Sequence, residues 1–226
     1  SGRSSNEAAF LYGVFTRAFG TNNMPDCSNM CHESSGVALS QTLGIGKGSV
    51  KLDDLHKADV VMVIGQNPGT NHPRMLLALQ KLKENGGKVI TINPLEEAGL
   101  KRFKNPQRPL DIVGNGTDIT DLFLQVKINQ DISILKAILK KLYIKEKEVG
   151  GVFDLKFIQK KTQGYDELIA DLEHYDLNDL IKKSGVEEVL IDEAVELLVS
   201  RKKIIICWAM GLTQHKNGVE NIKECV

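Results

Sequence analysis

The apolar residues of this chain occur in short runs that are separated by helical patterns. Residues 59–64 form an apolar strand pattern, residues 73–84 repeat apolar positions at helical spacing, and residues 88–92 form a second strand pattern. The Asn-Gly-Gly sequence at residues 85–87 is typical of the end of a helix. Together these segments predict a strand–helix–strand unit.

The pattern predicts two further strands later in the chain. Residues 110–113 are predicted as a third short strand, followed by a Gly-Asn-Gly-Thr-Asp turn and a helix from about residue 119. Residues 203–208 are predicted as the last strand. Short apolar strands separated by helices favour an α/β fold, with a doubly wound, mainly parallel sheet and helices on both faces, as in Rossmann-like dinucleotide-binding domains. Ligands of such sheets bind at the carboxyl ends of the strands.

The N-terminal segment differs in pattern from the rest of the chain. Ser4 or Ser5 can cap an amphipathic helix that ends near Gly20. We expect residues 1–30 to be a helix and loop from a neighbouring domain, and residues 31–226 to form an α/β cofactor-binding domain. Because the chain starts and stops within helical patterns, we interpret it as an internal fragment of a longer protein.

Within the predicted α/β domain, helices are expected at residues 33–43 and 52–57. Residues 131–201 are rich in Lys, Glu, Leu and Ile with helical periodicity, and are predicted to form a helix-rich insertion. Its charges alternate in sign at the spacing of one helical turn, which is typical of a solvated helix surface and does not call for a ligand.

Composition limits the partners. Lys plus Arg and Asp plus Glu both total 29, so global charge favours neither nucleic acid nor an anionic membrane as a partner. No apolar run approaches the roughly 20 residues that span a bilayer, and no secretory signal pattern is present. The four cysteines form neither a small disulfide framework nor a complete zinc site, which fits a reducing compartment. We therefore expect a cytoplasmic protein.

The predicted strand ends carry glycines and polar side chains suited to a nucleotide. Glycines let backbone amides approach a bound group closely, and amide or carboxylate side chains can bind a base or a ribose. The G-x-G-x-x-G fingerprint does not follow the first strand, and a P-loop is absent, so common NAD or ATP binding is poorly supported. The residues concerned are Gly65, Gly69, Gly114, Gly116, Gly211, Asn67, Asn93, Asp118 and Gln214.

A second candidate feature is the adjacent pair Cys31 and His32, at the predicted entrance of the helix at 33–43 from an extended polar loop. A thiolate nucleophile or metal ligand beside an imidazole predicts redox or metal chemistry. A structural cysteine is the alternative for Cys31. Cys27 could be a packing residue, or could form an adventitious disulfide with Cys31 in an isolated fragment.

Five segments in this order resemble one family: NNMPDCSNMCHESSGVALSQTLGIGKG, GQNPGTNHP, INPLEEAGLKRF, GNGTD and WAMGLTQHKNGVE. They are similar to the catalytic subunits of molybdopterin oxidoreductases that carry a bis(molybdopterin guanine dinucleotide) centre, and most of all to formate dehydrogenase-like alpha subunits. The similarity extends over nearly the whole chain.

The resemblance implies roles for individual residues. Cys31 matches the cysteine or selenocysteine that ligates molybdenum or tungsten, and His32 the histidine that assists proton or hydride handling. Asn93 departs from the family pattern, which often has an acidic residue there. The positions that match the guanine dinucleotide loops are Gly65, Asn67, Pro68, His72, Asn93, Pro94, Gly114, Asn115, Gly116, Met210, Gly211, Thr213 and Gln214.

The resemblance implies that the parent protein oxidises a small-molecule substrate, with formate to carbon dioxide as the leading candidate. Two alternatives stay open: a relative that acts on nitrate or another small oxyanion, and a nucleotide-binding interaction module without redox chemistry. The expected partners are other domains of the parent chain and an electron-transfer partner. The parent could hold a 4Fe-4S cluster, for which this segment has no ligands, and we expect the isolated segment to be inactive.

Overall fold

The computed structural model describes residues 5–24 and 27–226, without the side chains of residues 27 and 28. The strands are β1 (Val60–Ile64), β2 (Lys88–Ile92), β3 (Arg102–Phe103), β4 (Thr117–Asp118), β5 (Leu122–Leu124) and β6 (Ile204–Trp208). The helices before residue 114 are α1 (Asn6–Phe19), α2 (Cys27–Cys31), α3 (Glu33–Leu43), α4 (Leu52–Lys57), α5 (Pro68–Asn71), α6 (Pro73–Glu84), α7 (Ala98–Lys101) and α8 (Pro109–Val113). The later helices are α9 (Asp131–Val149), α10 (Leu155–Lys161), α11 (Tyr165–His174), α12 (Leu177–Ser184), α13 (Glu188–Val199), α14 (Met210–Thr213) and α15 (Gly218–Lys223).

The main sheet is parallel, with strand order β5-β2-β1-β6. The chain moves from β1 to β2 and β5 on one side, and returns to place β6 on the other side of β1. The strand order therefore reverses between β1 and β6, and a crevice at the carboxyl ends of the strands is expected at such a switch point. The predicted strand–helix–strand unit of β1, α6 and β2 is confirmed.

Both faces of the sheet are buried, as expected for a doubly wound fold. Every residue of β1 is buried, and its side chains alternate between two apolar clusters. Val60, Met62 and Ile64 pack into the cluster that includes α9 and α13, whereas Val61 and Val63 face the cluster built on α6. The predicted α/β fold is confirmed.

The predicted third strand at residues 110–113 is wrong. These residues belong to α8, because Pro109 occupies the first turn of a helix, where its missing N–H has no partner to lose. Leu110 and Val113 are 85% and 86% exposed, so this apolar run is not part of the core.

The predicted helix from about residue 119 is also wrong. Residues 122–124 instead form β5, the edge strand that pairs with β2. The reason is the alternation of burial: Leu122 and Leu124 are buried, while Phe123 faces the other cluster. The preceding residues 117–118 form β4, which pairs antiparallel with β3.

The helices between residues 131 and 201 share the core of the sheet. Ile134 and Ile138 of α9 and Ile191 of α13 are buried in the same cluster as β1. Ion pairs of these helices mostly join neighbouring helices and not successive turns of one helix. Lys141 Nζ of α9, for example, lies 2.7 Å from Glu188 and 2.6 Å from Asp192 of α13. The division into a neighbouring domain at residues 1–30 and an inserted helical segment stays a prediction.

Ser5 caps the start of helix α1, since its hydroxyl accepts a hydrogen bond from the Ala8 N–H. Gly20 caps the end of α1 in the left-handed conformation. Ser4 lies outside the described residues. Phe10, Phe15 and other apolar side chains of α1 are more than half exposed. Among the helices of residues 5–24 and 27–226, none is long and apolar enough to cross a membrane.

Asp121 ties the start of β2 to α6. Its carboxylate accepts hydrogen bonds from Lys88 Nζ at 3.0 Å and from the Val89 N–H at 2.8 Å, and lies 2.5 Å from Lys83 Nζ. Burial opposes ionisation, but these donors prevail and lower the pKa of Asp121. A carboxylate with a lowered pKa stabilises the fold above its unfolded-state pKa of about 3.9, and this stability is lost as pH falls through the folded-state pKa.

We expect Asp121→Asn to lower the free energy of unfolding of the 226-residue chain by about 1–2 kcal/mol at pH 7, because solvent partly screens the lysine contacts. The difference should shrink between pH 5 and pH 2, as the wild-type carboxylate protonates. Urea unfolding followed by circular dichroism measures both effects. The control is Asp179→Asn, which removes an exposed pair with Lys183. Equal losses in both variants, or a difference independent of pH, would contradict this account.

Candidate cofactor site

The carboxyl ends of β1, β2 and β6 lie side by side. The register pairs Ile64 with Ile92 of β2 and with Trp208 of β6, so the loops that follow these strands begin at the same edge of the sheet. The Gly65 N–H donates to the Ile92 carbonyl at 3.0 Å, which extends the pairing by one residue. Three of the four predicted cofactor loops are therefore brought to one edge.

The loops after β1 and β6 touch through two glycines. The Gly211 N–H donates to the Gly65 carbonyl at 3.0 Å. A Cβ on Gly65 would lie 2.9 Å from the Gly211 backbone, and a Cβ on Gly211 would lie 2.6 Å from Gly65 Cα. Gly65 also has a φ of +56°, in the left-handed region. Only glycine at both positions lets the two backbones meet at the switch point.

A second pair of glycines joins the loops after β1 and β2. A Cβ on Gly69 would lie 2.4 Å from Gly99 Cα, and a Cβ on Gly99 would lie 2.5 Å from Asn67 Oδ1. Asn67 caps the short helix α5 by accepting from the Thr70 N–H at 3.3 Å, and Pro68 occupies the first helical position. The predicted residues Asn67 and Pro68 therefore shape this loop.

Gln66 is a site residue that the sequence reasoning missed. Its side chain is buried, and its Nε2 lies 3.3 Å from both His72 Nδ1 and Met75 Sδ. Within the described residues, its buried Oε1 has no hydrogen-bond partner. The available signal was a polar residue directly after a buried strand and before Asn-Pro. His72, a predicted cofactor contact, is exposed and is held by Gln66.

The Asn93 side chain stabilises the loop that follows β2. The side chain is buried, and its Nδ2 donates to the Leu95 carbonyl at 2.7 Å and to Glu97 Oε2 at 3.4 Å. The Pro94 carbonyl accepts from Gln125 Nε2 at 3.0 Å, which links this loop to the end of β5. Both predicted residues lie at the carboxyl edge.

The predicted loop at Gly114, Asn115 and Gly116 does not follow a strand of the main sheet. It follows α8 and leads into β4, and a Cβ on Gly116 would lie 2.5 Å from the Phe103 carbonyl oxygen of β3. Gly114 and Asn115 are exposed. The expectation that this loop follows a third parallel strand is wrong. The parallel strand next to β2 is β5, which comes after this loop in the sequence. Its contact with a cofactor stays a prediction.

Cys31 ends α2, a short helix inside the segment that was predicted as an extended loop, and His32 precedes α3. Cys31 is half-buried with a free thiol, and the His32 side chain is exposed. The predicted helix at residues 33–43 is confirmed as α3. The side chain of Cys27, the alternative disulfide partner of Cys31, lies outside the described residues.

The Cys31 segment is hydrogen-bonded to the loop after β6. Thr213 Oγ1 donates to the Cys31 carbonyl at 2.8 Å, and Ser34 Oγ donates to the Thr213 carbonyl at 3.0 Å. Gln214 Nε2 donates to the Met30 carbonyl. Two segments about 180 residues apart in sequence are thus joined at the carboxyl edge of β6. Met210, at the start of α14, is exposed.

The other described cysteines are poorly suited to ligation. Burial raises the pKa of Cys207 to about 11. Burial, followed by the nearby carboxylates of Asp131 and Glu224, raises the pKa of Cys225 to about 12. Both thiols pack beside the apolar clusters and stay protonated at neutral pH. Among the three described thiols, Cys31 is the one beside the strand-end loops.

Comparisons with known proteins agree on one family. The family model for molybdopterin oxidoreductases matches residues 1–226. An uncharacterized oxidoreductase of Mycobacterium tuberculosis is 47% identical over 99% of this chain, and protein YdeP of Escherichia coli is 43% identical over 100% of it. The F420-dependent formate dehydrogenase 1 subunit alpha of Methanococcus maripaludis is 33% identical over 100% of it. The chain spans 29%, 31% and 30% of these three relatives.

A solved structure shares the fold. Acetylene hydratase from Pelobacter acetylenicus matches with a TM-score of 0.65 and 18% sequence identity. The match covers 85% of this chain and 23% of the hydratase chain. At this identity, the likeness shows the fold alone.

The glycine contact at the switch point gives a testable consequence. We expect Gly65→Ala to lower the free energy of unfolding by about 3 kcal/mol or more, because the new Cβ meets the Gly211 backbone and the positive φ is strained. Gly86→Ala is the matched control, since Gly86 has a φ of +84° with open space around it, and should cost only about 1 kcal/mol. Urea unfolding of the two variants measures the difference. Equal losses would show that the close approach contributes nothing.

Proposed function

Because this chain belongs to the molybdopterin oxidoreductase family, we propose that it anchors one guanine dinucleotide of a bis(molybdopterin guanine dinucleotide) centre and supplies Cys31 as the metal ligand. The family implies a molybdopterin cofactor with molybdenum or tungsten. One observation carries the proposal: the Cys31 segment is hydrogen-bonded to the loop after β6, beside the switch point of the sheet. The proposed metal ligand and the proposed nucleotide-binding edge therefore lie next to each other.

The residues at the edge fit a dinucleotide. The Gly65–Gly211 and Gly69–Gly99 contacts bring the loops after β1, β2 and β6 together at one edge of the sheet, where a single cofactor could contact all three. Gln66 contributes a buried acceptor oxygen without a partner in the described part of the chain. A buried polar atom without a protein partner calls for one from outside the protein, and a bound group would supply it.

Cys31 fits a metal held by sulfur. A thiolate is a soft ligand, which suits a metal that is already coordinated by the dithiolene sulfurs of the pterin. The half-buried position of the thiol leaves it accessible, and the adjacent segment is fixed through its backbone carbonyls. The roles of Cys31 and of the predicted dinucleotide contacts, apart from Thr213, are part of this proposal.

We propose formate oxidation as the reaction of the whole protein. Formate would lose two electrons and one proton to give carbon dioxide, and the chemistry that molybdenum or tungsten would supply is acceptance of these two electrons. His32, exposed beside Cys31, is the side chain that would take the proton, because a neutral imidazole has a ring nitrogen that can accept one. The electrons would then pass to another domain or to a partner protein.

The support for formate comes from two relatives. The alpha subunits of F420-dependent formate dehydrogenases 1 and 2 of Methanococcus maripaludis are 33% and 30% identical to this chain. The relatives at 47% and 43% identity have names that state no substrate. Nitrate or another small oxyanion is therefore the alternative that the substrate assay must include.

The proposal is tested on the full-length parent, produced with its cofactor assembled. Metal content, guanine released by acid hydrolysis, and formate-dependent dye reduction are measured on the same sample. Bound molybdenum or tungsten together with formate turnover is the expected result. Bound metal with turnover of nitrate and not of formate would overturn the substrate. If the protein contains no metal but still binds guanine nucleotides, the enzyme proposal is wrong and the protein is a nucleotide-binding module.

Cys31→Ala tests the ligand assignment. We expect formate turnover to fall by more than about a hundredfold, because loss of a direct metal ligand should cost more than loss of an outer-shell partner, while guanine content stays close to that of the wild type. Cys225→Ala is the matched control, because it removes a thiol that is buried against the apolar core and stays protonated at neutral pH. The contrary result is a Cys31→Ala enzyme that turns over formate like the Cys225→Ala enzyme.

A further inference from the structure

Thr213 was predicted to contact the cofactor, but its hydroxyl is directed elsewhere. The residue is 7% exposed, and its Oγ1 donates to the Cys31 carbonyl at 2.8 Å. A hydroxyl has a single hydrogen to donate, and here it is used inside the protein. The backbone carbonyl of Thr213 is also occupied, since it accepts from Ser34 Oγ at 3.0 Å.

These two hydrogen bonds run in opposite directions between the same two segments. The first goes from α14 to the end of α2, and the second returns from the first turn of α3 to α14. They therefore hold the Cys31 backbone from both sides of the α2–α3 junction. We call Thr213, Ser34 and Cys31, with these two bonds, the reciprocal clamp.

Neighbouring contacts make the clamp rigid. Trp208 Nε1 donates to Ser35 Oγ at 2.9 Å, which fixes the start of α3 to β6. Behind α14, the fully buried Asn221 donates from Nδ2 to the Leu212 carbonyl at 3.0 Å. A Cβ on Gly218 would lie 2.5 Å from the Thr213 carbonyl oxygen, so α15 packs directly against this turn. Small movements of α14 are thus opposed from both sides.

We infer that Thr213 is a positioning residue, which sets where Cys31 presents its thiol relative to the loop after β6. The inference rests on the proposed role of Cys31 as the metal ligand. Thr213 acts through the Cys31 carbonyl and leaves the binding of the dinucleotide to the glycine contacts of the neighbouring loops. Its loss should therefore impair turnover at each loaded centre, and should leave the amount of bound cofactor unchanged.

The test uses the full-length parent with Thr213→Val, which keeps the shape of the side chain and removes the donor. Thr213→Ser restores the hydroxyl and serves as the rescue variant. Thr91→Val is the matched control, because Thr91 is a fully buried threonine of β2 whose hydroxyl bonds Thr120 at 2.8 Å. The readouts are metal and guanine content, kcat and KM for formate, the electron paramagnetic resonance signal of the reduced metal, and amide hydrogen exchange at residues 31–35.

In Thr213→Val we expect kcat per metal to fall by about tenfold to a hundredfold, with KM and guanine content unchanged, because a displacement of about 1 Å is enough for such a loss. The resonance signal of the metal should change, and amide exchange at residues 31–35 should become about tenfold faster. Thr213→Ser should restore kcat per metal, the resonance signal and the exchange rates. Thr91→Val should change none of these three quantities.

Two results would overturn the inference. One is a loss of guanine and metal in proportion to activity, with kcat per metal unchanged, which would make Thr213 a cofactor contact. The other is unchanged amide exchange in Thr213→Val, which would show that the clamp does not hold the segment. The exchange experiment does not require metal. If the wild-type protein contained no metal, the proposed function would be wrong. Comparing amide exchange at residues 31–35 in the wild type and in Thr213→Val would still test whether the reciprocal clamp holds the Cys31 segment.

Discussion

The backbone contact between Gly65 and Gly211 is the constraint on which the site depends. The Gly211 N–H reaches the Gly65 carbonyl at 3.0 Å, and neither residue has room for a Cβ. The contact lies where the strand order reverses, so the loops after β1 and β6 are joined at the position where α/β sheets bind ligands. A side chain at either glycine would separate the two loops and displace α14.

From this contact, a short series of packed groups leads to Cys31. Gly211 lies within α14, whose last residue, Thr213, bonds the Cys31 carbonyl. Thr213 is buried, and a buried donor or acceptor that loses its partner costs about 1–3 kcal/mol. The backbone of Cys31 is therefore tied to the parallel sheet, although Cys31 precedes β1 by about 30 residues. In the proposed function, this connection brings the metal ligand and the dinucleotide edge together.

Much of the fold could be predicted from the sequence because local signals agreed with tertiary packing. The strands β1 and β6 are continuous apolar runs, and β2 is rich in β-branched residues. Helix α6 has a proline at its start and Asn-Gly-Gly after its end. The error at residues 110–113 arose where an apolar run lies in an exposed helix that Pro109 begins. β5 was missed because three residues are too few to show a period, and its burial comes from pairing with β2.

The site was predictable in its glycines and less so in its hydrogen bonds. Gly65 and Gly211 stand out because each follows a strand directly or within three residues. The bond from Thr213 to Cys31 joins residues 182 positions apart, and no local pattern indicates which backbone carbonyl a threonine will reach. Gln66 was missed for a similar reason, since its burial depends on His72 and Met75 in the following loop and helix.

The central claim is that the Cys31 segment and the strand-end loops serve one cofactor. A structure of the full-length parent with its cofactor bound tests this most directly. The account predicts that the metal is bonded to Cys31 Sγ and that a guanine dinucleotide lies over the carboxyl ends of β1 and β6, against Gly65 and Gly211. A metal bonded elsewhere, or a dinucleotide that leaves this edge of the sheet empty, would contradict it.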